Sequence, residues 1–380
     1  MRIGIITHNY ADKNQGTDAG SVVWDIARRL SKHVPVYVLT STQSSGRMSD
    51  PVPVTSISHT EKRKFGTLSV VDPRSLLSFS ILMKNGTREG IQWATDNHID
   101  ILLAMWAIPG GLIAENIHKK LHIPYAVFSL GSDIHTYSRI PILSGMIKNC
   151  LTHARFRFAN SEVLALRIKQ WTRMPCTLIR TATTIPPAED IKPMQFDPSV
   201  YHFLYVGRLE RIKGVDTLIS AARRLKNQRN RFRIHNIGDG TLRPALQKEI
   251  AAYGLSDTIQ IPGVRKNTDV WRYMRGSDCL IIPSRNESMP LVIAEAAHLG
   301  LPVITTDVGD AGMTVHRYNA GLVVPPGNPQ ALALAMETMR GFGKKTKNRF
   351  RKGLRALTKD FRPNIAPNMI LDLWNGCYNK

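Results

Sequence analysis

The chain has 380 residues, 43% of them hydrophobic, with 51 basic against 29 acidic side chains, a net charge of +22. That length exceeds what one hydrophobic core supports and points to two domains, while the cationic excess suits nucleic acid, an anionic membrane surface or phosphorylated substrates. Four scattered cysteines (Cys150, Cys176, Cys279, Cys377) show no zinc or redox spacing and read as packing residues of a reducing compartment. MRIGIITHNY lacks a signal pattern, and the apolar stretch 101–114 is too short to span a bilayer and is broken by Pro109-Gly110-Gly111. The expectation is a cytoplasmic protein, at most peripheral on the inner face of the cell membrane.

In chain order, Arg2–Thr7 is strand-like, a polar loop follows from Asn9 to Gly20, and Val22–Leu30 carries a helical pattern. Val34–Thr40, Ile99–Ala104 and Tyr125–Leu130 repeat the alternation of short apolar runs with helical stretches, as expected of a parallel sheet with crossover helices. From Thr183 to Ser199 the chain has four prolines and no apolar period, which predicts a linker over 186–199 between domains 1–185 and 200–360. Strands are then predicted at His202–Val206, Arg233–Ile237, Thr258–Ile261, Cys279–Ile282, Pro302–Thr305 and Gly321–Val324. The segment from Lys344 is basic and helical in parts.

Two loops of the second half can carry chemistry. After the strand ending at Val206 comes Gly207-Arg208-Leu209-Glu210-Arg211-Ile212-Lys213-Gly214. Its glycine lets backbone approach a ligand, and Arg208 with Lys213 offers a planar fork and a point charge to a diphosphate; spacing alone fits surface cations at a turn equally well. After Ile282, Arg285–Ser288 forms the next strand-to-helix loop. Ser288 is expected to cap a helix that begins near Met289 and ends at Gly300, with Pro290 in its first turn. Both loops fall at the carboxyl ends of strands, where parallel sheets bind ligands, and the free amides of that helix would favour an anion. Glu287 is placed to accept hydrogen bonds from hydroxyls. Glu295 lies inside the apolar helix and needs a polar partner, whether ligand or protein.

Taken together, Gly-Arg-Leu-x-x-x-Lys-Gly, Gly238-Asp239-Gly240, Glu287 and Glu295 with seven residues between them, Gly300-Leu301-Pro302-Val303-Ile304 and Gly321-Leu322-Val323-Val324-Pro325-Pro326-Gly327 resemble the family 4 retaining glycosyltransferases, glycosyl transferases group 1. The resemblance covers residues 201–340 almost continuously. It implies an α/β protein of the GT-B fold, two Rossmann-like parallel-sheet domains facing each other across a cleft that holds the active site, with 361–380 crossing back to the first domain.

The resemblance also implies roles. Arg208 and Lys213 would bind the donor diphosphate and stabilise the departing phosphate, Glu287 would hold donor sugar hydroxyls, and Glu295 would hold the ribose. Gly207 and the backbone of Ser288, Met289, Pro290 and Leu291 would meet sugar and phosphates, and Gly16 would approach the diphosphate from the first domain. Trp106, Asp133 and His135 are acceptor-side candidates. Many relatives carry histidine where this chain has Leu130, so that histidine's part in positioning the donor sugar is not carried over. No Asp-x-Asp occurs, in keeping with a metal-independent, cofactor-free transfer from a nucleotide-diphosphate sugar to a glycan or lipid-linked acceptor. Front-side attack, with the leaving phosphate taking the acceptor proton, is the mechanism the family implies.

Other readings are a sugar-nucleotide epimerase or hydrolase of the same fold, and a polyanion-binding protein. A dinucleotide dehydrogenase fits poorly, because Arg243 stands where the third glycine belongs. Nucleic acid is disfavoured by the lack of interleaved aromatics or a helix-turn-helix pattern. Basic clusters at Arg223–Arg233 and Lys344–Arg355 leave an anionic membrane surface open as a partner.

Overall fold

The computed structural model describes residues 1–10, 20–41, 52–58, 73–226 and 232–378. They form two compact units, Met1–Thr181 with Pro363–Lys380, and Ala182–Arg362.

In the first unit β1 (Ile3–Thr7), β2 (Val36–Thr40), β3 (Val54–Ser56), β4 (Ile101–Met105), β5 (Tyr125–Ser129), β6 (Phe156–Ala159) and β7 (Thr177–Leu178) pair in parallel in the order β3-β2-β1-β4-β5-β6-β7. β1, β4 and β5 are buried along their whole length, which is why they read as unbroken apolar runs. β6 escaped that reading because Arg157 interrupts it. The side chain is buried nonetheless, with its guanidinium donating to the carbonyls of Pro175 (2.7 Å), Leu151 (2.9 Å) and Ala154 (2.6 Å). Burial alone would be costly, and three charge-assisted bonds offset it.

The closing helix Ile365–Tyr378 clusters with this unit, where it lies against the helix Gly20–Leu30 and buries Ile370 and Trp374. Arg29 donates to Asn364 at the start of that helix.

In the second unit β8 (Tyr201–Val206), β9 (Phe232–Ile237), β10 (Ile259–Gly263), β11 (Cys279–Ile282), β12 (Val303–Thr306) and β13 (Gly321–Val324) form a parallel sheet in the order β10-β9-β8-β11-β12-β13. The chain adds β9 and β10 outward on one side of β8, then returns to add β11, β12 and β13 outward on the other, so the winding reverses between β8 and β11. Such a switch point leaves a crevice at the carboxyl ends of the strands.

The proline-rich stretch expected as a linker belongs to this unit from Ala182 onward. Met194 N donates to Arg272 O (2.9 Å), and the Phe196 ring stacks on His202 and His235 at 4.5 and 4.4 Å between centroids. Prolines leave this stretch without a regular period, yet side-chain packing fixes it. Cys150 and Cys279 are buried free thiols and Cys176 is a partly buried one, while the Cys377 side chain lies outside what is described. Burial pushes the Cys176 thiol up to about 12, so it stays protonated and unreactive. Among the described residues no helix is long and apolar enough to cross a membrane.

Candidate functional site

Two loops of the second unit meet at the carboxyl edge of β8 and β11. The first leaves β8 at Gly207. Tyr205 Oη donates to Arg208 O (2.7 Å) and Leu209 N donates to Asp239 O (2.9 Å), so the Arg208 turn is pinned to the Gly238–Gly240 loop that follows β9. Glu210 accepts from Thr241 N and Oγ1 at 3.1 and 2.8 Å. The Arg208 guanidinium is exposed and makes no hydrogen bond or ion pair among the described residues. Arg211–Lys213 then form a single 3-10 turn, and Gly214, at φ 66°, opens the helix Val215–Leu225. A Cβ on Gly214 would lie 1.9 Å from Pro283 O, so only glycine lets this loop press against the next.

That next loop, 283–290, leaves β11. Lys213 Nζ stands 2.6 Å from Glu287 Oε1, and Ser284 Oγ donates to the same oxygen at 2.9 Å. Lys213 and Glu287 thus form one polar cluster, brought together from positions far apart in sequence.

Arg285, which the sequence reading passed over, fastens the two loops. Its Nη1 donates to Arg211 O (2.6 Å) and to Asp216 Oδ1 (2.6 Å); its Nη2 donates to Asp216 Oδ2 (2.8 Å) and Thr217 Oγ1 (3.0 Å). Its backbone N donates to Ile212 O at 2.8 Å. Burial would raise the Asp216 carboxyl, but the Arg285 fork outweighs it and holds the carboxyl below the usual range. An arginine beside a motif glutamate was the only sequence signal for this clamp, and nothing in the spacing named Asp216 as its partner.

The helix after this loop starts later than expected. It spans Leu291–His298 with Pro290 in the N-cap position, and Ser288 does not cap it. Instead Ser288 O accepts from Asp310 N (2.8 Å), and the Gly309 backbone passes so close that a Cβ there would lie 2.1 Å from Glu287 O. The post-β12 loop therefore supports the Glu287–Ser288 backbone, a contact that local capping rules could not foresee. Met289 is buried against Thr314 Oγ1 (3.8 Å from its sulfur), while Leu291 opens the helix half-buried.

Glu295 sits on that helix, 9% exposed. Its partner within the protein is Thr183 Oγ1, which donates to Oε1 at 3.1 Å. Burial pushes its carboxyl up to about 7, against the pull of Thr183 and of the nearby Trp271 indole. That indole N–H comes near the carboxyl without reaching ordinary hydrogen-bond geometry. A buried carboxyl with one firm bond retains acceptor capacity for hydroxyls.

In the first unit Gly16 lies outside the described residues. Trp106, 4% exposed and at φ 66°, turns the chain out of β4, with its ring 4.4 Å from that of His8. Asp133 is fully buried. Its oxygens accept from Ala107 N (2.9 Å) and Gly131 N (3.0 Å), which ties the turns after β4 and β5 together; burial raises its carboxyl despite these bonds. His135 is half-buried, with Nδ1 3.4 Å from Arg167 Nη1. Arg243, at the broken dinucleotide motif, is occupied by Asp239 (2.7 Å).

Two parallel-sheet units of this order, with paired cations and carboxylates at the carboxyl edge of the second, define a GT-B fold. Residues 188–352 match the family Glycosyl transferases group 1, so this segment is a domain of that family and the resemblance read from the motifs is borne out there at the level of group 1. Alpha-D-kanosaminyltransferase of Streptomyces kanamyceticus is 32% identical over 136 residues, 36% of this chain and 35% of that protein. The chain spans between about a third and three-fifths of the length of the curated relatives it matches first. Among solved structures, sucrose-phosphate synthase from Thermosynechococcus elongatus superposes with a TM-score of 0.81 at 17% identity over 100% of both chains. Anabaena Alr3699/HepE in complex with UDP gives 0.76 at 17% identity, covering 99% of this chain and 100% of that one. At such identities these two likenesses speak for the fold.

Proposed function

We propose that the protein is a retaining, metal-independent glycosyltransferase that moves a sugar from a nucleotide-diphosphate sugar to a hydroxyl of a glycan or lipid-linked acceptor. The observation that carries this reading is the contact of Lys213 with Glu287 at the carboxyl edge of β8 and β11, with Arg208 exposed on the same loop as Lys213, within a domain matched by the glycosyl transferases group 1 family. The acceptor oxygen attacks the anomeric carbon as its bond to the diphosphate oxygen breaks, and the acceptor proton passes to that leaving oxygen. Arg208 and Lys213 supply fixed positive charge where negative charge grows, the part a divalent metal plays in other transferases. Glu287 turns from Lys213 toward sugar hydroxyls once the diphosphate takes up the cation. No third group need act as a nucleophile.

UDP is the first nucleotide to try, because a protein of the same fold holds it. At ~100 times its dissociation constant a donor nucleotide stabilises the fold by roughly 2.7 kcal/mol, which a melting curve resolves. The expected result is a shift with one of UDP, GDP or ADP in wild type and none in Arg208→Ala. Nucleotide release that persists in EDTA and depends on an acceptor then separates transfer from hydrolysis. Equal shifts in wild type and variant would remove Arg208 from the donor site.

Glu295 adds a pH signature. Its carboxyl titrates about 7 in the fold against 4.5 ordinarily, so the folded chain holds its proton more tightly. The carboxylate therefore costs stability that appears as pH rises through that window, on the order of 3 kcal/mol when complete. Ribose hydroxyls donating to the carboxylate would relieve this cost. The donor-induced melting shift is thus expected to be larger at pH 8 than at pH 6, and Glu295→Gln should flatten the difference. A shift independent of pH in wild type would take Glu295 out of ribose binding.

A further inference from the structure

The largest exposed apolar side chains of the first unit include four on two neighbouring helices. Pro141–His153 exposes Ile142 (78%) and Met146 (38%), and Glu162–Thr172 exposes Val163 (42%) and Leu166 (58%). The two helices pack on one another. Arg167 joins them further, since its Nη2 donates to Ser138 Oγ (3.2 Å) just ahead of the first helix. One helix precedes β6 and the other follows it; Ile142 and Val163 sit in first turns, at the carboxyl edge of the sheet, and Leu166 follows in the next turn. His135 stands at the same edge.

The exposed charges on these two helices and the turn ahead of them have one sign: Arg139, Lys148, Arg167 and Lys169. From His135 to Arg173 the sole acid is Glu162, which is taken by Arg180 Nη2 at 2.6 Å.

We propose that this face docks the first unit on an anionic lipid bilayer, with the aliphatic tips entering the headgroup boundary and the cations meeting lipid phosphates. Protein interfaces centre on aromatic anchors in shaped pockets and are poor in lysine. Here the exposed apolar residues are aliphatic, lie on a pair of helices, and are rimmed by lysine and arginine. A bilayer accepts aliphatic side chains without a pocket, and its anionic headgroups balance the rim. The helix Lys344–Asp360 of the second unit is as cationic, but it turns Phe350, Leu354 and Leu357 into its own core. It keeps no apolar face for a bilayer and serves as the control for charge alone. Docking at the edge that carries His135 favours a lipid-linked acceptor over a free glycan, but the docking itself stands whether or not the chain transfers sugar.

The test is sedimentation of the full chain with phosphatidylcholine vesicles that contain or lack phosphatidylglycerol. Wild type is expected in the pellet with anionic vesicles at low salt, and largely in the supernatant with neutral ones. Ile142→Glu with Leu166→Glu should cut partitioning by about tenfold or more, while Lys344→Glu with Arg351→Glu should change it by no more than about twofold. Both pairs are exposed, so unchanged melting curves would exclude unfolding as the cause. Equal recovery with both vesicles, no recovery with either, or full binding by the Ile142/Leu166 variant would overturn the proposal. A lipid-free dimer that the same variant dissociates would assign the face to a second copy and overturn it as well.

Discussion

Lys213→Ala is expected to lower the turnover of sugar transfer by on the order of 10² to 10³ with a smaller change in KM, since fixed charge facing a departing phosphate acts chiefly in the transition state. Glu287→Ala should cost on the order of 10² or more by loosening the donor sugar. Because Lys213 Nζ and Glu287 Oε1 lie 2.6 Å apart, the two effects should not add. The double variant is expected to resemble the worse single one, as when two residues act as one unit. If Lys213 served only to hold Glu287, Lys213→Ala would lower the melting temperature and raise KM while leaving turnover near wild type. Steady-state kinetics on the four proteins of the cycle distinguish these outcomes. The purely structural pattern would leave Arg208 as the one cation for the diphosphate.

The second unit was legible because its candidate site and its fold use the same residues. A strand buried on both faces must be a short apolar run, and a ligand loop must leave it with glycine and polar groups, so β8 with Arg208 and β11 with Glu287 announce themselves. What stayed hidden depends on pairing across the sheet. Asp216 looks like an ordinary first-turn acid until Arg285 is seen to reach it, and Thr183 sits in a stretch with no period until its hydroxyl meets Glu295. Ser288 failed as a cap for the same reason: the Gly309–Asp310 backbone occupies that corner, and tertiary contact overrode a local preference. In the first unit Arg157 concealed a strand, and the backbone amides of Ala107 and Gly131 that the Asp133 carboxylate holds could not be read from spacing.

Gly214→Val should be the most damaging single change for the second unit. At φ 66° any β-branched residue is strained by about 1–3 kcal/mol before its contacts are counted. The added Cβ would also lie 1.9 Å from Pro283 O and 2.7 Å from Pro283 C, and backbone cannot swing aside as a side chain can. The chain can answer only by parting the Lys213 loop from the 283–287 loop, which pulls on the Arg285–Asp216 clamp and separates Lys213 from Glu287. The expected outcome in urea unfolding is a loss on the order of 3 kcal/mol or more for the transition of this unit, with transfer activity lost even in protein that remains folded. Gly145→Ala is the matched contrast. It lies inside the helix Pro141–His153 with nothing within 4 Å of its added Cβ, so it should stabilise by about 0.5–1 kcal/mol. A wild-type unfolding midpoint for Gly214→Val would mean that the two loops are not pressed together, and with that the pairing of Lys213 and Glu287 would lose its structural basis.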